Sequence, residues 1–298
     1  MEPLDRRFHP IRADLAAAYL VDRIDAPRYA DGVRQQVIQG ALALRRAPRD
    51  DAPLDTELLY GEFVTVYDAA DGWAWLQNEA DRYVGYARAP GLTTNIHQPT
   101  HSVRAVATFI YPEPDIKTPP LNRLGMGARI AVIKQSGEQS GEQSGPFSRS
   151  ASGGWIFDNH LASIEDHATD HAAVALQFLG VPYLWGGKTS LGLDCSGLVQ
   201  VALDRCGVCA PRDTDIQACE LGASLGSASI EGAISGDFSD LRRGDLVFWP
   251  GHVGVYADSD TFVHANATDM AVATAPLQTV SSGVLAATGD KITDIRRL

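Results

Sequence analysis

Cys195 stands in the run Leu191-Gly-Leu-Asp-Cys-Ser-Gly-Leu-Val-Gln200, and two histidines, His252 and His264, follow it in the last third of the chain. A thiolate is a strong nucleophile, an imidazole titrates near neutrality, and a further polar ring can fix the orientation of the first. Those residue types would suit acyl transfer through a thioester. Cys195 would attack a carbonyl, His252 would move the proton, and His264 would hold the far nitrogen of His252. A free cysteine by itself is more often a small buried hydrophobe, so the surrounding elements decide.

Those elements fit. Pro182-Tyr-Leu-Trp-Gly-Gly187 is too rich in turn formers to be helical, whereas Leu198, Val199, Ala202 and Leu203 recur at helical spacing. Asp194 is the expected N-cap, which puts Cys195 in the first turn. There the unpaired N–H groups and the helix dipole favour thiolate over thiol. Leu241–Trp249 reads as a turn then a strand, and His252–Tyr256 and Thr261–Ala265 read as β-runs, all bounded by Gly, Asp and Ser. A hairpin between Tyr256 and Thr261 would bring His252 and His264 side by side.

The series Asp-Cys-Ser-Gly (194–197), Arg-Gly-Asp-Leu-Val-Phe (243–248), Gly-His-Val-Gly-Val-Tyr (251–256) and Val-His-Ala (263–265) resembles the NlpC/P60 family of cell-wall peptidases. The resemblance covers roughly residues 166–298. It implies a papain-like cysteine peptidase that cuts the bond between γ-D-glutamate and a diamino acid, diaminopimelate or lysine, in murein peptides. Cys195, His252 and His264 fall on the family's catalytic positions. Tyr183 falls on a tyrosine that assists the backbone N–H of Cys195 at the oxyanion, and Trp185 is expected to wall the pocket. Ser196 is a candidate partner for the glutamyl carboxylate. The implied chemistry requires no metal or cofactor.

Upstream, short β-runs at Arg34–Gln39, Glu62–Tyr67, Trp73–Leu76 and Tyr83–Tyr86 are separated by turn residues and predict a small barrel. Gly61-Glu-Phe-Val-Thr-Val aligns with Gly127-Ala-Arg-Ile-Ala-Val, and Gly72-Trp-Ala-Trp with Gly154-Trp-Ile-Phe. Two copies about 65 residues apart predict a tandem module. Their signatures resemble bacterial SH3 (SH3b) domains. The expected fold class is α+β: a papain-like domain with helices on an antiparallel sheet, preceded by two small SH3-like barrels. The boundaries are an N-terminal strap or helix at 1–30, barrels at 31–95 and 96–165, and the peptidase at 166–298. In the SH3b-bearing branch, the first barrel and the peptidase domain together hold a free N-terminal L-alanine. Glu62, Tyr83 and Asp213 match those positions, and a buried ammonium does need carboxylate partners. That points to a dipeptidyl-peptidase acting on L-Ala-γ-D-Glu-diaminopimelate in peptide recycling. The alternatives are an exported endopeptidase acting on intact wall and an inactive murein-peptide-binding protein. Glu62 as a turn residue, Tyr83 as barrel core and Asp213 as a helix cap are the plainer assignments.

The 298 residues carry 25 Lys and Arg against 37 Asp and Glu, a formal charge of −12. That excludes a basic face for nucleic acid and adhesion to anionic polymers or lipid headgroups. Met-Glu-Pro-Leu-Asp at the start lacks a basic segment before an apolar core, so a cytoplasmic location is expected unless a leader was removed; a monomer is expected as well. Cys206-Gly-Val-Cys209 lacks the second ligand pair a zinc site needs, and its cysteines read as incidental. His160, His167 and His171 read as surface or capping residues. Helices are expected at 168–179 and from Asp213 to Leu221, and the Gly222–Gly236 stretch as a loop or edge excursion. The Gln135–Gly145 repeat has no apolar residue and predicts a surface loop.

Overall fold

The structure, a computed structural model, describes residues 4–134, 146–258 and 260–298, so the Gln135–Gly145 repeat lies outside the described residues. Two units divide the chain, Met1–Asp166 and His167–Leu298.

In the first unit, Ala13–Ile24 does not form a helix. Ala16–Ala17 pairs in parallel with Tyr29–Ala30, and a single 3₁₀ turn follows at Ala18–Leu20. Seven strands between Val33 and Thr93 form the barrel sheet. Its alternating strands turn Leu42, Leu44, Leu58, Val64, Leu76 and Ala87 into one core. Between His101 and Ser163 the described residues form three smaller sheets around Val103, Ile110, Leu124, Ile130 and Ile156, and Tyr60 joins that core.

The two halves share local construction. Gly61 N–H donates to Val37 O at 2.8 Å, and Gly127 N–H donates to Val103 O at 2.9 Å. Each half also ends on a strand, a 3₁₀ turn and a short final strand, at 84–93 and again at 155–163. That order corrects one alignment. Trp155–Phe157 precedes the closing 3₁₀ turn and so corresponds to Val84–Arg88, not to the Trp73–Trp75 strand. Aromatic dipeptides on short strands align by composition, whereas only pairing fixes which strand is which.

In the second unit a six-stranded antiparallel sheet runs in the order Ala223–Ser224, Asp294–Arg297, Leu246–Trp249, His252–Asp258, Thr261–Asn266 and Ala271–Ala275. Five helices accompany it: α1 (His171–Leu176), α2 (Cys195–Arg205), α3 (Thr214–Glu220), α4 (Ser227–Ser235) and α5 (Leu277–Thr288). Every residue of α2 from Cys195 to Leu203 is buried, so this helix lies within the core. The 222–236 stretch, expected as a loop or edge excursion, does reach the sheet edge at 223–224 but then forms α4, which buries Ala233. Its Ser and Gly content masked a helix that packing on the sheet stabilises.

Candidate active site

The chain approaches α2 through a tight turn and a two-stranded hairpin, Lys188–Thr189 against Gly192–Leu193. Asp194 caps the helix as expected, its Oδ1 accepting from Gly197 N–H at 2.7 Å. Its other oxygen accepts from Gly186 N–H at 2.8 Å, tying the turn to the helix start. A Cβ at position 197 would stand 2.2 Å from the carbonyl oxygen of Gly187, so this close approach requires glycine.

Arg212 completes the cap and was not anticipated from sequence. Its guanidinium bonds both Asp194 oxygens, at 3.0 and 2.7 Å, and the Ser196 hydroxyl at 2.8 Å. It is 1% exposed. Pro-Arg-Asp at the start of a helix is an ordinary surface pattern, so the available signal was indirect: a buried Asp194 needs a cation. Ser196, 5% exposed, accepts from Arg212 and donates to Asp194 at 3.3 Å. Its hydroxyl is thus already engaged in the cap.

Cys195 Sγ lies 3.8 Å from Gly251 O and 3.9 Å from Thr214 Oγ1. The backbone N–H groups of Val253 and Ser196 also bond the sulfur. The nucleophile is therefore seated against the strand backbone on both sides of His252. His252 Nε2 meets His264 Nδ1 at 2.8 Å, leaving Nδ1 of His252 as the nitrogen not engaged by His264. The strands that carry the two rings pair antiparallel, Val255 opposite Val263. His264 lies over Gly254, where a Cβ would come within 2.8 Å of its own Cβ. The expected juxtaposition of the two imidazoles is present.

The electrostatics differ from the expectation for a helix-start thiol. Burial pushes the Cys195 thiol up, and the Asp194 charge pushes it further. The N–H groups of Val253 and Ser196 and the Thr214 hydroxyl oppose this without reversing it. Desolvation in this buried position outweighs the helix terminus. Burial holds His252 down at about 3, with the His264 charge adding to it. Burial likewise holds His264 down at about 4, against a smaller opposing pull from Asp269. Burial therefore favours the uncharged form of all three groups. Tyr183 is raised to about 12 by burial, then by the charges of Cys195 and Asp194, so its phenol stays protonated and able to donate.

The remaining residues divide. Asp213 is the N-cap of α3 in backbone only: its carbonyl accepts from Gln217 N–H at 2.9 Å, but its side chain makes no capping bond. Trp185 is 67% exposed on the turn after Tyr183. Tyr83 sits in the barrel core, 5% exposed and edge-on to Phe8 with ring centroids 5.6 Å apart, the plainer of its two assignments. Glu62 lines a recess of about 280 Å³ in the first unit with Phe63, Glu79, Gln98, Arg129 and Ile164. Its Oε2 accepts from Leu59 N–H at 2.8 Å. His160 bonds Thr108 at 2.8 Å and His171 bonds Gly244 O at 2.7 Å. Cys195, Cys206, Cys209 and Cys219 form no disulfide, and no His, Cys, Asp and Glu cluster suited to a metal occurs among the described residues.

Comparison with known proteins gives the same assignment. Residues 180–284 match the NlpC/P60 family, and residues 44–92 match the bacterial dipeptidyl-peptidase SH3 domain. The chain is 27% identical to dipeptidyl-peptidase 6 of Lysinibacillus sphaericus, over 72% of this chain and 81% of that protein. It is 24% identical to a γ-D-glutamyl-L-lysine dipeptidyl-peptidase of Bacillus cereus, over 76% and 71%. The crystal structure of an NlpC/P60 family protein from Bacillus cereus superposes with a TM-score of 0.69 at 21% identity, covering 89% of this chain and 99% of that one, and shares its fold. One SH3 domain is matched, where sequence reading predicted two. The chain thus carries an NlpC/P60 cysteine peptidase domain preceded by a bacterial SH3 domain.

Proposed function

We propose that the enzyme hydrolyses the γ-D-glutamyl–diamino acid bond of murein peptides that bear a free N-terminal L-alanine, in cell-wall peptide recycling. The observation that carries this reading is the sulfur of Cys195 seated at the helix start against the His252 strand, with His252 bonded to His264 at 2.8 Å. Cys195 attacks the amide carbonyl after its proton passes to His252 Nδ1. The oxyanion is met by the Cys195 N–H at the start of α2 and by the Tyr183 hydroxyl. His252 then protonates the leaving amine, and water releases the acyl group from the thioester. The names of the two long-matching relatives support the dipeptidyl-peptidase specificity. Glu62 and Asp213 remain the carboxylates whose chemistry suits an ammonium. A reactive thiol at Cys195 must be kept reduced, which suits a cytoplasmic location. We read residues 96–165 as a second SH3-like module on the bonds it shares with the first.

Incubation with L-Ala-γ-D-Glu-meso-diaminopimelate, its N-acetylated form and the lysine analogue tests the reading. Release of L-Ala-γ-D-Glu from the free-amine forms alone is expected. Equal cleavage of the acetylated peptide removes amine selection, and cleavage of none removes the reaction.

A further inference from the structure

The polar line at the active site does not end at His264. His264 Nε2 lies 3.2 Å from Asn266 Nδ2, and the same Nδ2 donates to Asp269 Oδ2 at 3.0 Å. Asn266 Oδ1 accepts from Asp269 N–H at 2.8 Å. These two bonds to Asp269 fix which way the carboxamide points. Turned over, it would set N–H against N–H and oxygen against carboxylate. Asn266 is 7% exposed, so water has little room to repair that mismatch.

With the orientation fixed, Asn266 offers His264 Nε2 a donor. A neutral imidazole has one N–H, so Nε2 is the bare nitrogen and the hydrogen of His264 sits on Nδ1. That hydrogen points at His252 Nε2, 2.8 Å away, which is therefore bare in its turn. The hydrogen of His252 then occupies Nδ1, the nitrogen that must be empty to take the thiol proton. The neutral state this requires follows from the burial that depresses both imidazoles.

We propose that Asn266, oriented by Asp269, is a positioning residue that sets the tautomer of His264 and through it that of His252, and so restrains the proton acceptor. This rests on the assignment of His252 as that acceptor. Both rings must move their hydrogens to Nε2 before Nδ1 of His252 can accept, and His264 Nε2–H would then face the Asn266 donor. The charges acting on this pair are those of the imidazoles on each other and of Asp269 from the turn after the His264 strand, while Cys195 faces it from α2 as a thiol.

Nitrogen NMR of the full chain labelled with ¹⁵N-histidine reads the tautomers directly, with His252→Gln and His264→Gln supplying assignments. Wild type is expected to show bare Nε2 on both rings. Asn266→Asp replaces the donor with an acceptor and is expected to move the hydrogen to Nε2 on both. It should also speed iodoacetamide alkylation of Cys195 near pH 6 by about tenfold, the effect of a one-unit fall in thiol pKa. Should that variant melt early, Asp269→Ala reads the same point, because the freed carboxamide turns and both tautomers of His264 appear. Protonated Nε2 on His264 in wild type, or unchanged tautomers in folded variants, overturns the proposal. These spectra are independent of hydrolysis, so a wild-type protein that cleaves no murein peptide would refute the substrate reading and leave the tautomer result standing.

Discussion

Arg212→Met tests how the nucleophile is held. The substitution keeps much of the aliphatic stem and removes a guanidinium that is 1% exposed. Asp194, its side chain 10% exposed, is left buried with two backbone N–H bonds, from Gly197 at 2.7 Å and Gly186 at 2.8 Å. Breaking one partner of a buried ion pair costs about 3–5 kcal/mol, and the surviving bonds place this case near the lower figure. Because the chain has two units, amide hydrogen exchange of Leu198–Leu203 in α2 is a better measure than a global melt. A loss of about 3 kcal/mol accelerates exchange by about a hundredfold where those amides exchange through opening of this unit. The double variant Arg212→Met/Asp194→Asn removes the stranded charge and should recover a large part of the protection. Acceleration below about tenfold, or a double variant less protected than the single one, would refute the argument that the pair holds the helix start.

Three further outcomes are expected. Both active-site imidazoles are held below their usual 6.5, to about 3 and about 4, so the unfolded chain binds more protons below pH 6.5. Stability should be unaffected by them above that pH and fall as pH drops from 6.5 toward 4 and then 3; His264→Phe should flatten part of that fall in urea midpoints measured across the range, and an unchanged slope would contradict the assignment. If the Tyr183 hydroxyl meets the oxyanion as proposed, Tyr183→Phe should lower kcat by about a hundredfold with KM little changed, read from steady-state kinetics on the tripeptide. Glu62→Gln retains an oxygen for the Leu59 N–H, so the melting temperature should hold; if the carboxylate meets an ammonium, KM for the free-amine peptide should rise about tenfold or more.

Much of the site was legible before any fold was known. The capping Asp194, the helix that follows it and the strands bearing His252 and His264 are local patterns, because capping, helical spacing and β-alternation act over a few residues. Four of the barrel strands of the first unit were legible for the same reason, whereas Ala41–Arg45, Leu54–Leu59 and Leu92–Thr93 were not singled out. Arg212 was not, since it lies eighteen residues beyond Asp194 and the pair exists only once α3 packs beside α2. Asn266 ends the His264 strand and Asp269 lies in the turn beyond it, and neither stood out in the sequence. Their part depends on the direction of one carboxamide. The depressed imidazoles and raised thiol also belong to tertiary structure, because sequence places a cysteine at a positive helix end whereas folding decides how much water remains around it. Residue types and spacing determined which groups could react. Burial and the orientation of hydrogen bonds decided the protonation state in which they wait.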